Sequence, residues 1–181
     1  HADYRAFREL RKYDRLPEFG RSLGAIRRAA NRILRSAEPG DKRYATALVV
    51  KLLDRTGFRI GNESYLKENK TRGLLTLSEK NVSVEEAAAR LEFDFKTKGG
   101  KRISKSLTNR RLAARVNRLQ ELPGQRIFVY RNEAGKLVDL TSEDVNAFLS
   151  ELAETSFTAK DFRTWIGTRE AAAAMARYPL E

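Results

Sequence analysis

The sequence contains no cysteine, and its one histidine is His1. The absence of cysteine excludes a disulfide scaffold, a thiolate metal site and a cysteine nucleophile, and it favours a reducing, cytosolic compartment. A single terminal histidine excludes histidine-based zinc sites and Ser-His-Asp or Cys-His catalysis within this chain. The sequence also lacks any run of apolar residues long enough to predict a membrane-spanning helix.

Positive charge predominates among the residues that are present. The 181 residues include 36 Lys plus Arg against 24 Asp plus Glu, which gives a formal net charge of +12. This excess indicates a polyanionic partner, with nucleic acid favoured over an anionic membrane surface and over a basic protein that has no such partner. The length, with 41% hydrophobic residues, suits a single domain over residues 1–181 that has its own core.

The basic residues are concentrated in one part of the chain. Residues 96–125 hold nine basic side chains and one acidic one, whereas residues 133–161 hold seven acidic and two basic side chains. This segregation favours a surface that grips a phosphate backbone over a solvated helix face. Gly99-Gly100 lacks the Gly-Lys-Ser/Thr ending of a nucleotide P-loop, which argues against nucleotide binding.

Apolar spacing predicts a mainly α-helical chain with small β-hairpins, an α+β fold. Pro17 and Gly20 are expected to break the first helix from the second, and Asp41 and Gly57 to bound the third. Caps at Thr108, Thr141 and Thr158 are expected to start the later helices. The predicted helices cover residues 3–13, 23–34, 42–56, 59–69, 109–122, 142–152 and 159–178.

Residues 82–95 carry two conflicting patterns. Strong helix formers and a capping box of Ser83 with Glu86 favour a helix up to residue 90, whereas apolar and polar residues alternate over 91–96. We expect a strand from residue 91 onward, which returns over 102–107 as a hairpin with Lys98 at its tip. Residues 74–77 favour a short strand or an extended link, and residues 126–130 and 136–140 favour a second hairpin.

Several motifs follow one another in a recognisable order. They are FRIGNESY at 58–65, TRGLLTL at 71–77, FKTKGGK at 95–101, LPGQ at 122–125, FVY at 128–130, DVN at 144–146 and FTAKDFRTW at 157–165. Together they cover nearly the whole chain, and FTAKDFRTW is the most specific. This series resembles the catalytic domain of the type IB DNA topoisomerases in their small bacterial and poxvirus-like form.

The resemblance implies an activity. Such enzymes relax supercoiled duplex DNA without ATP, a cofactor or a required metal, through transient single-strand cleavage, a 3′-phosphotyrosyl intermediate and religation. The two catalytic arginines of the family match Arg59 and Arg163, its general-acid lysine matches Lys98, and Tyr65 matches a DNA-contacting position. Further DNA-binding residues are expected at Lys67, Lys96, Lys101, Arg102, Arg110, Arg111 and Lys160. We expect a monomer with duplex DNA as partner, cytoplasmic and nucleoid-associated if the source is bacterial.

The proposed chemistry requires these residue types. In-line attack concentrates negative charge on the non-bridging phosphate oxygens, and a planar, always charged guanidinium can bind two of them at once. The leaving 5′-alkoxide needs a proton, and a lysine can supply it where neighbouring positive charge lowers its pKa. Lys96, Lys101 and Arg102 are such neighbours of Lys98 in the sequence. The alternative is that Lys98 is a simple phosphate contact and that Lys96 or Lys101 is the acid.

The chain departs from the family pattern in three respects. The nucleophilic tyrosine is expected several tens of residues beyond the position of Arg163, and Tyr178 does not match its motif, so we expect the chain as given to be inactive in covalent cleavage. The β-rich N-terminal domain of the family is not expected within residues 1–181 either. Asn81 stands where the family commonly has histidine, and Arg72 stands where it commonly has an aromatic residue.

Two other functions fit part of the pattern. A tyrosine recombinase also uses Arg, Lys and Arg around a phosphate, but that class normally has a histidine at the position of Asp161. A duplex-DNA-binding module without catalytic activity is the second alternative. Trapping of a covalent adduct with supercoiled plasmid would separate the enzymes from this module.

Overall fold

The computed structural model describes residues 13–153 and 155–177, and its first long helix, α1, runs over Leu16–Ser36. The predicted break at Pro17 and Gly20 is wrong. Pro17 lies in the first turn, where its missing N–H is tolerated, and Gly20 lies inside the helix. A Cβ at Gly20 would stand 2.5 Å from Cη2 of Trp165, so glycine there allows the indole to approach α1. Apart from Tyr13, the helix predicted over residues 3–13 lies outside the described residues.

Helix α2, Lys42–Thr56, forms the centre of the molecule. It packs against α1 and most later helices, and its long apolar run is buried on nearly all sides, as the sequence predicts. Gly57 ends the helix as predicted, because its φ of 65° belongs to the left-handed region. The chain therefore turns away from the axis of α2 two residues before Arg59.

Helix α3, Glu63–Asn69, is shorter than predicted. Arg59 and Ile60 are held outside it because their carbonyl oxygens accept from the N–H groups of Leu74 and Leu75, both at 2.8 Å. The side chain of Asn62 then caps α3 by accepting from the Tyr65 N–H. The strand or extended link predicted over residues 74–77 is also wrong, since Leu74–Thr76 is a turn of 3-10 helix.

Strands β1 (Val82–Glu85), β2 (Arg90–Lys96) and β3 (Arg102–Thr108) form an antiparallel sheet in that order. The hairpin of β2 and β3 is confirmed, but the helix predicted up to residue 90 is wrong. Val82 pairs with Phe93 and Val84 with Leu91, so residues with good helix propensity form a strand and a turn instead. Burial of Phe93 and Leu91 outweighs intrinsic propensity here.

The remaining elements surround α2. Helix α4, Arg110–Gln120, is capped by Asn109. The cap predicted at Thr108 is therefore wrong by one residue. Strands β4 (Val129–Arg131) and β5 (Leu137–Asp139) form the predicted second hairpin, before helices α5 (Ser142–Ala153) and α6 (Ala159–Arg177). The mainly helical α+β fold class is confirmed. Within the described ranges, none of the helices is long and apolar enough to cross a membrane.

The first turn of α5 predicts a stability that depends on pH. The Asp144 carboxylate accepts from the Thr141 N–H at 3.0 Å and lies 2.5 Å from Nζ of Lys42. Burial raises the pKa of Asp144, but the bonds from Lys42 and Thr141 outweigh it and leave this pKa below its ordinary value. A carboxylate with a depressed folded-state pKa stabilises the protein above its unfolded pKa, about 3.9, and this contribution is lost as the pH falls through the folded pKa.

We therefore expect Asp144→Asn to lower the free energy of unfolding by about 1 kcal/mol near neutral pH. The difference from the unsubstituted protein should shrink as the pH falls below about 4. Urea denaturation at several pH values, followed by the fluorescence of Trp165, measures it. Glu143→Gln changes charge at the adjacent exposed position and is the control. An equal loss at low and neutral pH would contradict the assignment.

Candidate phosphate-binding site

A cavity of about 380 Å³ forms where six segments meet. They are the segment after α2, helix α3, residues 71–73, the tip of the β2–β3 hairpin, the start of α5, and the first turns of α6. Five basic side chains and no carboxylate occur among its described lining residues; the basic ones are Arg59, Arg72, Lys98, Lys160 and Arg163. A concave surface with this lining is suited to an anion that accepts several charge-assisted hydrogen bonds.

The structure brings together the three residues that the sequence predicts to be catalytic. Arg59, Lys98 and Arg163 come from three separate segments, and all three line the cavity. Tyr65 and Lys160, both predicted to bind DNA, line it as well. More than one hundred positions of chain separate Arg59 from Arg163, so only the fold makes them neighbours.

Arg163 is anchored to the end of α2. Its Nη1 donates to the Gly57 carbonyl at 3.0 Å, which fixes one edge of the guanidinium against the core. Burial, and secondarily the positive charge of Arg59, lower the pKa of Arg163. An arginine stays protonated despite such a shift, so an anion bound between these two cations would relieve their repulsion.

Asp161 does not neutralise the positive charge of Arg163. Its carboxylate instead accepts from the N–H of Thr158 at 2.7 Å and from the hydroxyl of Thr158 at 3.0 Å. These bonds form one half of a capping box at Thr158, the predicted start of α6. Among the described residues, no carboxylate lies within ion-pair distance of Arg163. The guanidinium therefore carries an uncompensated charge at the cavity wall.

Lys98 reaches the cavity from the tip of the hairpin. The tip is closed by hydrogen bonds from the Thr97 N–H to the Lys101 carbonyl at 2.8 Å and from the Gly100 N–H to the Thr97 carbonyl at 3.0 Å. Gly99 and Gly100 have φ of 82° and 74°, which glycine adopts without strain. Nζ of Lys98 lies 4.9 Å from the ring centroid of Tyr65, a cation–π contact that joins the hairpin to α3.

The other residues predicted to bind DNA lie outside this cavity. Lys67 lines a trough beside it, and Lys96 and Arg102 line a groove beyond that trough. Arg102 is bound by Asp94 through two hydrogen bonds of 2.7 and 2.5 Å. Lys101 is exposed at the hairpin tip, and Arg110 and Arg111 are exposed in the first turn of α4.

Three basic side chains within residues 96–125 have partners inside the protein. Nζ of Lys105 donates to the Thr56 carbonyl at 3.1 Å, and Nη2 of Arg115 to the Leu34 carbonyl at 3.3 Å. Arg118 forms an ion pair with Glu38 at 3.0 Å. These contacts stabilise helix ends and connections, so part of the positive charge has a structural role.

Sequence reasoning missed four polar residues that line the cavity: Asn62, Thr71, Arg72 and Ser142. Arg72 was noticed only as a departure from the family pattern. Its place at the cavity follows from its N–H, which donates to the Lys96 carbonyl at 2.7 Å. Ser142 begins α5, and no motif pointed to it. The one sequence feature that could have indicated a role for Arg72 is its polar side chain, directly before Gly73.

A buried hydroxyl beside Lys98 gives a further prediction. Thr97 is 3% exposed, and its Oγ1 has no hydrogen-bond partner among the described residues. Since an unpaired buried hydroxyl is unfavourable, Thr97→Val should raise the free energy of unfolding by ~1 kcal/mol. Thr76→Val is the matched comparison, because the Thr76 hydroxyl bonds both the N–H and the carbonyl of Gly73 at 3.0 Å.

Thr76→Val should therefore destabilise the protein by about 1–3 kcal/mol. Urea denaturation of the two variants measures both changes. Equal destabilisation by the two substitutions would show that the Thr97 hydroxyl has a partner in solution.

Comparison with known proteins places these residues in a family. A family model described as the catalytic core of eukaryotic DNA topoisomerase I matches residues 1–179. The chain is 29% identical over 161 residues to the DNA topoisomerase 1B of Acanthamoeba polyphaga mimivirus, a match that covers 87% of this chain and 47% of the viral protein. The chain thus spans about half the length of the curated relative that it matches. Because the family model covers nearly every residue, the chain belongs to the topoisomerase I catalytic-core family, as the type IB resemblance of its motifs predicts.

Proposed function

We propose that this chain is the catalytic core of a DNA topoisomerase that relaxes supercoiled duplex DNA by transient cleavage of one strand. The observation that carries the proposal is the cavity with five basic side chains and no carboxylate among its described lining residues. Such a lining matches the phosphodiester of a polyanion. The family membership and the mimivirus relative, named DNA topoisomerase 1B, support the same activity.

The two arginines would act on the phosphate itself. A tyrosine hydroxyl gives up its proton to solvent and attacks phosphorus in line, the bond from phosphorus to the 5′-oxygen breaks, and negative charge grows on the non-bridging oxygens. The guanidiniums of Arg59 and Arg163 face the same cavity and would bind these oxygens. Because the bond from Arg163 to the Gly57 carbonyl already holds its side chain, little reorganisation is needed in the transition state.

Lys98 would donate the proton that the departing 5′-oxygen takes up. Its ammonium sits at the cavity on a hairpin tip, against the Tyr65 ring, so the contact orients Nζ without removing its protons. Religation reverses the step: the 5′-hydroxyl returns its proton to the lysine as it attacks the phosphotyrosine, the bond from phosphorus to the tyrosine oxygen breaks, and the tyrosine takes a proton back from solvent. The energy of the cleaved bond is kept in the new ester, so no ATP is required.

Plasmid relaxation by the intact gene product tests this function. We expect supercoiled plasmid to relax without ATP, and a denaturant added during the reaction to trap a covalent adduct of protein and DNA. A requirement for ATP, or relaxation without an adduct, would overturn the proposed mechanism. Binding without any relaxation would favour the non-catalytic DNA-binding module. We further propose a monomer, located with the nucleoid in the cytoplasm if the source is bacterial.

The leaving group tests the role of Lys98 separately. A duplex with sulfur in place of the bridging 5′-oxygen loses a thiolate, which needs no proton to depart. Lys98→Ala should therefore cleave this duplex nearly as fast as the unsubstituted protein, while remaining slow on ordinary DNA. Lys101→Ala removes the same charge from the same hairpin and is the control. Equal slowing of Lys98→Ala on both duplexes would contradict a general-acid role.

A further inference from the structure

We propose that Arg72 is a further phosphate-binding residue, which holds the DNA backbone beside the catalytic cavity. The inference rests on the function proposed above. Arg72 lines the catalytic cavity, the trough that also holds Lys67, and the groove that holds Lys96 and Arg102. It therefore stands at the junction of three adjoining depressions, where a strand that leaves the cavity would pass.

The charge of Arg72 is available to a ligand. Nη1 of Arg72 and Nη1 of Arg126 both donate to the Thr76 carbonyl, the latter at 2.6 Å. Only Arg126 also has a carboxylate partner, because its Nη2 lies 2.6 Å from Glu63. In the part of the chain that the structure describes, no carboxylate lies within ion-pair distance of Arg72.

The electrostatic surroundings of Arg72 support the same conclusion. Burial, and then the positive charge of Arg126, lower the pKa of Arg72, while Glu63 acts in the opposite direction. The guanidinium remains charged in spite of this, and a phosphate nearby would be stabilised by it. A guanidinium has five N–H donors, so the bond to Thr76 leaves others for phosphate oxygens.

The backbone holds Arg72 between the two halves of the site. Its N–H donates to the Lys96 carbonyl at 2.7 Å, which ties it to the β2–β3 hairpin. The next residue, Gly73, contacts the backbone of Gly61. Arg72 is therefore positioned between the hairpin of Lys98 and the segment of Arg59. Because its backbone is already held, little backbone entropy is lost when it binds DNA.

The trough beyond Arg72 has the charge that a DNA backbone requires. Its described lining has five basic side chains and two acidic ones, Glu63 and Glu79; the basic ones are Lys67, Lys70, Arg72, Lys80 and Arg126. Glu63 is paired with Arg126, which leaves the lysines and Arg72 in excess. Each strand of a B-form duplex carries one phosphate charge per ~3.4 Å of axis, so one strand can engage such neighbouring cations in succession.

Salt-dependent binding of a short labelled duplex by the chain, followed by fluorescence anisotropy, tests this role. The logarithm of the binding constant falls linearly with the logarithm of salt concentration, with a slope of ~0.9 per phosphate contact. Arg72→Gln should reduce the slope by about 0.9. It should also weaken the binding of duplexes of different sequence by a similar factor. Lys136→Gln removes the same charge from the exposed turn between β4 and β5 and should leave the slope unchanged.

A purely structural role for Arg72 predicts a different pattern. If the side chain only holds the Thr76 carbonyl, Arg72→Gln lowers the melting temperature and the salt slope stays that of the unsubstituted chain, which overturns the inference. Arg72→Lys keeps the charge and should keep most of the slope.

Arginine modification decides the question if Arg72→Gln fails to fold. Phenylglyoxal labelling of the unsubstituted chain, read by mass spectrometry, should show that duplex DNA protects Arg72, and absence of protection overturns the inference. If the unsubstituted chain shows no salt-dependent binding to duplex DNA, the proposed function is overturned together with the role of Arg72.

Discussion

Alanine in place of Arg163 is expected to slow strand cleavage by ~100- to 1000-fold, which corresponds to about 2.7–4 kcal/mol of transition-state stabilisation. The size follows from the anchoring of Arg163: its bond to Gly57 holds the guanidinium at the cavity before any DNA arrives. Among the described residues no carboxylate competes for it. The Arg163 guanidinium can therefore bind the phosphate oxygens fully as negative charge develops on them.

The effect should fall on the chemical step rather than on binding. Arg163 is one of five basic side chains that line the cavity, so Arg163→Ala should change duplex affinity much less than the rate. Arg163→Lys keeps the charge but loses bidentate geometry and the bond to Gly57, and should recover only part of the rate. Arg59→Ala is expected to behave like Arg163→Ala.

Single-turnover cleavage by the intact gene product, with enzyme in excess over duplex, measures this rate directly. Arg21→Ala is the matched control, because it removes an exposed arginine of α1 that does not line the described cavity. We expect its rate to stay near that of the unsubstituted protein. Should Arg163→Ala and Arg21→Ala slow cleavage equally, the assignment of Arg163 to the phosphate fails.

Gly73→Ala is expected to reduce both stability and activity severely. A Cβ at residue 73 would lie 2.4 Å from the nitrogen and 2.5 Å from Cα of Gly61, and 2.6 Å from the carbonyl oxygen of Arg59. All three are backbone atoms, which cannot turn away as a side chain does. The two segments would have to separate, which weakens the bonds from the N–H groups of Leu74 and Leu75 to the carbonyls of Arg59 and Ile60.

We expect a loss of about 3 kcal/mol in the free energy of unfolding, the upper end of the usual cost of overpacking. Because the displaced segment carries Arg59, cleavage by any protein that still folds should also slow by ~100-fold, as a misplacement of about 1 Å commonly does. Urea denaturation and single-turnover cleavage measure the two losses.

Gly167→Ala is the control for the substitution itself. Gly167 lies in helix α6 with no atom within 4 Å of a built Cβ, so alanine there should stabilise the protein by ~0.5–1 kcal/mol. If Gly73→Ala is tolerated as well as Gly167→Ala, the contact between the two segments does not position Arg59.

Local patterns predicted most of the elements because they depend on near neighbours along the chain. The apolar run of α2, its end at Gly57 and the cap that Thr158 forms with Asp161 all follow from residues within a few positions of each other. Residues 85–90 show where such reasoning fails. Their helix propensity is real, but pairing of Val84 with Leu91 and burial of the sheet decide the conformation.

Motifs likewise identified the residues of the candidate site without their surroundings. Arg59, Lys98 and Arg163 were singled out from sequence, and the fold brings all three to one cavity. Arg72 could not be assigned to that cavity, because its place depends on a hydrogen bond to Lys96 and on the contact of Gly73 with Gly61. Neither contact leaves a periodic trace in the sequence.

The sequence by itself determined the class of fold, the chemical groups and the excess of positive charge, since these are properties of composition and of local spacing. Only the tertiary structure decided which cations are available to a phosphate. Lys105 donates to the Thr56 carbonyl, and Arg102 donates to Asp94. Arg163, in contrast, faces the cavity and has no carboxylate within ion-pair distance among the described residues. The reason is physical: the free charge of a side chain depends on which carbonyls and carboxylates of distant segments the fold brings within a few ångströms of it.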